Sequence, residues 1–279
     1  MPKRILAAVS AIIFLLTACS PRIAENTTKT AETVTPRFVP VADIGSFRYD
    51  TIPQWLIPLD SLYIADSLPD SATLLPPPPP SDTTNAVFKE DLARWEWGKS
   101  MRQTERGRQA SQESLFGIVR MCTIYSELFG FVIHPETTPA IYRFMLYAGE
   151  TGYAATSSAK KKYMRRRPFD LMGEGVWGEF DYDALRLDGS YPSGHTALGL
   201  ATAMALSQMA PVLSEKILER GYQYGESRVI VGAHWQSDVN AGYAVAVSAF
   251  VSMSRSPRYQ KHLSAARKEY YTILHQQSE

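Results

Sequence analysis

Thr196-Ala-Leu-Gly-Leu-Ala-Thr-Ala-Met-Ala-Leu-Ser-Gln-Met-Ala210 carries almost no charge-bearing face, and Val239-Asn-Ala-Gly-Tyr-Ala-Val-Ala-Val-Ser-Ala-Phe-Val-Ser-Met253 reads the same way. A helix that is apolar nearly all round is a buried one, and the Ala, Gly and Ser content lets neighbours approach closely. Both segments are therefore expected at the centre of a single helical bundle. Working outward, Ser254 to Gln277 reads as a final, more polar helix. Upstream, Thr138 and Pro139 form a helix start followed by Ile141, Phe144, Met145, Ala148, Gly152 and Ala155 at helical spacing. Glu113 to Phe131 has a mixed apolar face, and Ala86 to Met101 sets Val87, Leu92, Trp95 and Trp97 among charges. Strand signals are few, and there is no internal repeat or Gly-rich dinucleotide loop. The fold class is all-α, with one domain over 86–279.

The 279 residues carry a net charge of +1, with 45% hydrophobic and 20% charged residues. That balance argues against nucleic acid as a partner, because phosphate-backbone binding needs clustered excess Lys and Arg. No set of apolar runs of about 20 residues suggests a polytopic membrane protein. Lys3-Arg4, the apolar run Ile5 to Leu16 and Leu16-Thr17-Ala18-Cys19 read as a secretory leader over 1–18. The small residues before Cys19 are similar to a bacterial lipobox, so Cys19 is expected to be acylated and to hold the protein to a membrane on the periplasmic side. Ser20 and Pro21, being non-acidic, favour the outer membrane of a Gram-negative cell. Removing the leader changes the net charge to −1, so the anchor is lipid rather than basic surface. An acylated Cys19 leaves Cys122 unpaired. Residues 19–85 are rich in Pro, Thr, Ser and Asp and include Pro76 to Pro80 unbroken. They are expected to be a tether, mostly disordered and stiffened by polyproline II.

Three segments concentrate chemistry. In Lys160-Lys-Lys-Tyr-Met-Arg-Arg-Arg167-Pro168, a seven-residue spacing is about 20° short of two helical turns. Lys160 and Arg167 would then project from one face, with Pro168 stopping the helix. In Gly189-Ser190-Tyr191-Pro192-Ser193-Gly194-His195-Thr196, a turn feeds a helix N-terminus. Its free N–H groups, a small Gly194, the Ser193 hydroxyl and a titratable His195 suit an anion. In Ser227-Arg228-Val-Ile-Val-Gly232-Ala-His234-Trp-Gln-Ser-Asp238, Asp238 lies one turn after His234 and can take its imidazole N–H. That leaves the other ring nitrogen as a nucleophile. Arg228 is about 240° away on a continuous helix, and a bend near Gly232 would bring it back. Each segment alone has a bland reading as a solvated face, a capping turn or a structural pair. Together they supply what transfer of a tetrahedral phosphoryl group requires.

The ordered set Lys160-x6-Arg167-Pro168, Pro192-Ser193-Gly194-His195 and Ser227-Arg228-x5-His234-x3-Asp238 resembles the three-part motif of the type 2 phosphatidic acid phosphatase and vanadium haloperoxidase superfamily. Gly189 to Thr196 is similar to the bacterial class A non-specific acid phosphatases in particular. The likeness extends from about Leu75 to the last helix. It implies an all-α bundle and metal-free hydrolysis of phosphate monoesters such as nucleotides, sugar phosphates and aryl phosphates, with no cofactor. In the family's roles His234 becomes a phosphohistidine and Asp238 holds its tautomer. Lys160, Arg167, Arg228, Ser193 and the Gly194 N–H bind the phosphoryl oxygens, and His195 serves the leaving alcohol and then water.

A homodimer is compatible with the resemblance. Competing readings are a lipid phosphate phosphatase, a vanadium-dependent haloperoxidase and a non-catalytic phosphate-binding lipoprotein. The family's lipid-specific members usually carry several membrane helices, and a binding protein would normally have lost His195 or His234. The stretch Phe169 to Asp188, with Trp177, Phe180, Tyr182 and several acids, reads either as a wall of the leaving-group pocket or as a surface loop. Its acids would repel a highly anionic leaving group such as an inositol polyphosphate.

Overall fold

The computed structural model describes residues 35–46, 64–114, 117–178 and 182–278. The leader, Cys19 and the stretches 1–34 and 47–63 lie outside the described residues. Among the described residues the helices, in chain order, are α1 Ser71–Leu74, α2 Ala86–Met101, α3 Glu105–Gln112, α4 Ile118–Phe129, α5 Pro139–Ala154, α6 Ser157–Tyr163, α7 Pro168–Met172, α8 Tyr182–Leu187, α9 Gly194–Met209, α10 Ser214–Ile230, α11 Gln236–Ser254 and α12 Pro257–Ser278. The fold is all-α.

The central helix is α9, in which every residue except Met204, Ser207 and Gln208 is buried. Helices α5, α10 and α11 pack around it, and α12 closes the side of α5. Small residues set these distances. A Cβ on Gly152 of α5 would lie 2.5 Å from the Ala197 carbonyl oxygen of α9, and one on Gly242 of α11 would lie 2.7 Å from that of Ser193. Close approach of α11 to the start of α9 brings two motif segments together. Large side chains fill the rest, with Tyr125, Tyr142, Tyr147, Phe144, Tyr224 and Tyr259 fully buried.

Helix starts are only partly as the sequence suggests. Asn85 caps α2 by accepting from the Phe88 amide. Thr138 does not cap α5, because its hydroxyl is engaged with the His134 backbone. The carboxylate of Glu269, reaching across from α12, accepts from the amides of Ala140 and Ile141 at 3.1 and 2.7 Å instead. A negative charge there also suits the helix dipole.

Part of the stretch read as a tether is docked. Val39 accepts a backbone bond from Val132, Ala65 and Leu75 are buried in the main core, and α1 packs on α6. The Pro76 carbonyl, at the start of the proline run, accepts from the Tyr191 hydroxyl at 2.9 Å. Short apolar side chains spaced among the prolines suffice to seat these pieces, although they show no helical or strand period. Among the described residues no helix is long and apolar enough to cross a membrane.

Candidate active site

Lys160 and Arg167 converge, but not on one helix. Helix α6 ends at Tyr163, Met164 takes a left-handed conformation at φ 41°, and Arg167 is extended at φ −78°, ψ 157°. Pro168 opens α7 rather than stopping a helix, since its fixed φ suits a first helical position. The reversal at Met164 turns Arg167 back toward Lys160. Both side chains are buried, and both reach Asp188 Oδ2, Lys160 Nζ at 2.8 Å and Arg167 Nη2 at 3.1 Å.

The bend expected near Gly232 is present. Helix α10 ends at Ile230, Gly232 has φ +80°, and the amides of Ala233 and His234 return to the Arg228 carbonyl. A side chain at Gly232 would be strained by that φ and would meet the Arg102 guanidinium. The bend delivers Arg228 and His234 to one buried site. Arg167 Nη1 donates to the Ala233 carbonyl at 3.1 Å and lies 3.0 Å from His234 Nε2.

Asp238 does not take the imidazole N–H directly. His234 Nδ1 is 3.6 Å from Asp238 Oδ2 and donates to the Ser190 carbonyl at 2.8 Å. The Ser190 hydroxyl donates in turn to Asp238 Oδ2 at 2.5 Å, and the same oxygen caps α11 by accepting from the Trp235 amide at 2.8 Å. Asp238 Oδ1 accepts from Arg165 Nη1 at 2.6 Å, and Arg165 Nη2 donates to Asp91 at 2.8 Å. Asp238 thus acts on His234 through charge and through Ser190.

The turn before α9 behaves as a capped N-terminus. Ser193 Oγ accepts from the amide and hydroxyl of Thr196, and the Ser193 amide donates to the Asp238 carbonyl. A Cβ on Gly194 would lie 2.7 Å from the Tyr153 ring and 3.5 Å from Lys160 Cε, so only glycine leaves space there. His195 stacks on Tyr224 with ring centroids 4.3 Å apart, and its Nε2 is 2.8 Å from the Glu113 carbonyl oxygen.

Residues 141–261 match the PAP2 superfamily. A non-specific acid phosphatase of Providencia stuartii is 43% identical over 213 residues, covering 76% of this chain and 85% of that protein. A non-specific acid phosphatase of Salmonella typhi is 39% identical over 203 residues, covering 72% and 80%. An acid phosphatase of Zymomonas mobilis is 30% identical over 171 residues, covering 61% and 65%. The chain belongs to the class A acid phosphatases of the PAP2 superfamily. It is a phosphomonoesterase.

Electrostatics in this phosphatase follow from burial. Burial first, then the charges of Arg167, Lys160 and Arg228, hold His234 well below the ordinary histidine range. Burial first, then Arg228, does the same to His195. Both environments therefore favour the neutral imidazole. Burial and Arg167 push Lys160 down to about 8 against the opposing pull of Asp188, and burial lowers Arg228 to about 10. Both cations keep their charge in acid.

Four partners escape a reading of the motifs alone. Arg165, Ser190 and Glu113 each hold a motif residue through buried bonds, and Asp91 holds Arg165 in turn. Glu113 also pairs with Arg220 and accepts from the Ser227 hydroxyl, tying α10 to the loop that meets His195. Arg165 sits within the basic run, but only its backbone turn separates it from the exposed Arg166. Asp91 stands more than 70 positions away, with no pattern to mark it. The described part of Phe169 to Asp188 is mostly exposed and is anchored at a few points. Phe169 and Val176 bury against Ile230, Val231 and Ala233, the Tyr182 hydroxyl accepts from the Val176 amide, and Leu185 accepts from Arg167. Of the remaining histidines, His134 is buried and His262 stacks on Tyr147.

Proposed function

We propose that this phosphatase hydrolyses phosphate monoesters, among them nucleotides, sugar phosphates and aryl phosphates, in two steps through a phosphohistidine on His234. The observation that carries the reading is the 3.0 Å approach of Arg167 Nη1 to His234 Nε2. A guanidinium only donates, so Nε2 bears a lone pair and Nδ1 the proton that goes to Ser190. Nε2 is the nucleophile, aimed by its neighbours and left uncharged by burial.

In the first step Nε2 forms a bond to phosphorus as the ester P–O bond breaks. Lys160, Arg167, Arg228, the Ser193 hydroxyl and the Gly194 N–H hold the phosphoryl oxygens, whose charge spreads in the transition state. His195 Nε2 faces a carbonyl and so keeps its hydrogen. The other nitrogen, Nδ1, takes up the extra proton when the substrate dianion raises the ring's basicity, and gives it to the leaving alcohol. In the second step water attacks phosphorus, His195 accepts its proton, and the N–P bond breaks to return His234. The three cations supply the positive charge that stabilises transfer.

His234→Ala tests the reading. Turnover of p-nitrophenyl phosphate and of a nucleoside monophosphate should fall to background while the helical circular dichroism spectrum is unchanged; retained turnover would refute it.

The lipobox at Cys19 supports placement on the periplasmic face of a membrane through an acylated N-terminus. Mass spectrometry of the mature N-terminus should find acylated Cys19, and Cys19→Ala should release the activity in soluble form.

A further inference from the structure

Asp188 stands where a substrate oxygen would have to go. Its Oδ2 takes Lys160 Nζ at 2.8 Å and Arg167 Nη2 at 3.1 Å. The other terminal nitrogen of the same guanidinium, Nη1, lies on His234 Nε2. One planar fork is thus divided between the nucleophile and a carboxylate. A phosphoryl group seated before His234 needs the whole fork.

The carboxylate is also the member of this cluster with a way out. The side chains of Lys160 and Arg167 are 6% and 3% exposed, whereas that of Asp188 is 43% exposed. Its backbone is held separately. The Asp188 carbonyl accepts from Arg167 Nε at 3.1 Å, and the Gly189 carbonyl takes a second bond from Lys160. Rotation of one side chain therefore clears both cations while the main chain keeps them in place.

We propose that Asp188 is a specificity-determining residue, a resident carboxylate that competes with the substrate's phosphoryl group for Lys160 and Arg167 and so sets affinity for phosphate. The inference rests on the phosphate-binding roles proposed above for those two cations. In the empty site Asp188 pairs with two buried charges that would otherwise carry their full desolvation cost. A phosphomonoester dianion displaces it by offering several oxygens to the same donors, and to Arg228 and the Gly194 N–H as well. A monoanion, such as a diester or a carboxylate, brings no more charge than Asp188 already does. The resident group thereby favours monoesters. It also weakens the binding of inorganic phosphate, the product.

Calorimetric titration of the full chain with inorganic phosphate tests this. Asp188→Asn should bind phosphate about tenfold more tightly, the factor gained when a binding-competent state goes from about one part in ten to fully populated. KM for p-nitrophenyl phosphate should fall in step, with kcat held or reduced by slower product release. Asp183→Asn is the control. That carboxylate lies on α8, the short helix just before Asp188, pairs with Arg186 at 3.2 Å and is 93% exposed, so its loss changes net charge equally without touching the pocket and should leave phosphate affinity alone. Unchanged or weaker binding in Asp188→Asn, or equal tightening in both variants, would overturn the proposal.

A crystal of the wild-type protein with phosphate bound is independent of how the variants fold. Asp188 should have left Lys160 Nζ and Arg167 Nη2, and retention of both bonds beside bound phosphate would overturn the proposal. Because binding is read at equilibrium, a failure of the phosphohistidine route leaves these results standing. Phosphate seated away from Lys160 and Arg167 would overturn both readings.

Discussion

Arg167 Nη1 lies 3.0 Å from His234 Nε2, and both side chains are buried. The contact fixes which imidazole nitrogen is bare and, in the mechanism proposed, puts a strong donor where phosphorus would arrive. The same guanidinium spans from the Ala233 carbonyl to Asp188, so His234, Ala233 and Asp188 share one planar fork. Arginine suits this position where lysine would not, because its donors are coplanar and fixed relative to one another.

Arg165 should matter for stability more than its absence from the motif suggests. It joins Asp91 and Asp238 with side chains 4%, 1% and 0% exposed. Arg165→Met leaves two buried carboxylates facing each other without a cation, and the cost expected for breaking such a network is about 3–5 kcal/mol. Chemical denaturation should show the midpoint falling accordingly. A variant as stable as the wild type would mean that the network is not coupled to folding.

Vanadate should inhibit competitively at low concentration. As a five-coordinate species it resembles the transition state that Lys160, Arg167 and Arg228 would stabilise in the mechanism proposed. Chelators should leave activity intact if the reaction draws its positive charge from these side chains. Loss of activity in EDTA with recovery on adding zinc or magnesium would contradict the mechanism.

His195→Ala should discriminate between leaving groups. Esters with poor alkoxide leaving groups depend on a proton from His195 and should lose about 10²–10⁴-fold in kcat. p-Nitrophenyl phosphate, whose leaving group needs little protonation, should lose far less. Equal losses on both would remove His195 from the role of acid.

Acid should weaken the empty enzyme. The folded-state values of His195 and His234 lie below the unfolded value of about 6.5. The unfolded chain therefore binds more protons as pH falls through that value, and the stability present above it is progressively lost below it. Glu150 and Glu269, raised by burial, act in the opposite sense. The diagnostic quantity is thus a difference: between about pH 7.5 and 5 the melting temperature of His195→Gln should fall less steeply than that of the wild type. Inorganic phosphate should flatten the wild-type curve, since a bound dianion raises both histidines. Parallel curves for the two proteins would show that His195 is not buried neutral.

The central helix was legible because Thr196 to Ala210 has no polar face, which leaves the interior as its place; Val239 to Met253 has the same composition, yet α11 lies at the edge of the bundle with Asn240, Ala244, Val247 and Val251 exposed. Lys160, Arg167, Arg228, His195, His234 and Asp238 were legible as a candidate set because their spacing and residue types agree on one chemistry. What the sequence hides is backbone reversal and distant pairing. Met164 adopts a left-handed conformation without being glycine, and nothing in Lys160 to Pro168 signals it, so helical spacing gave the right convergence by the wrong geometry. The bond from His234 Nδ1 goes to a main-chain carbonyl, which every residue owns, so Ser190 could not be told from its neighbours. Asp91 and Glu113 meet the site only through the packing of α2 and the loop after α3. The docked pieces around Ala65 and Leu75 were hidden by their proline-rich surroundings, where burial comes from isolated apolar side chains rather than from a period.

The central claim is covalent transfer to His234, and the most direct measurement is a rapid alkaline denaturing quench of the working enzyme with labelled p-nitrophenyl phosphate, followed by peptide mapping. The account predicts a label on His234 in the wild type, lost in His234→Ala, and accumulating further in His195→Ala, where attack by water loses its base. Turnover with no label on His234 at any quench time, or a label elsewhere in the chain, would contradict it.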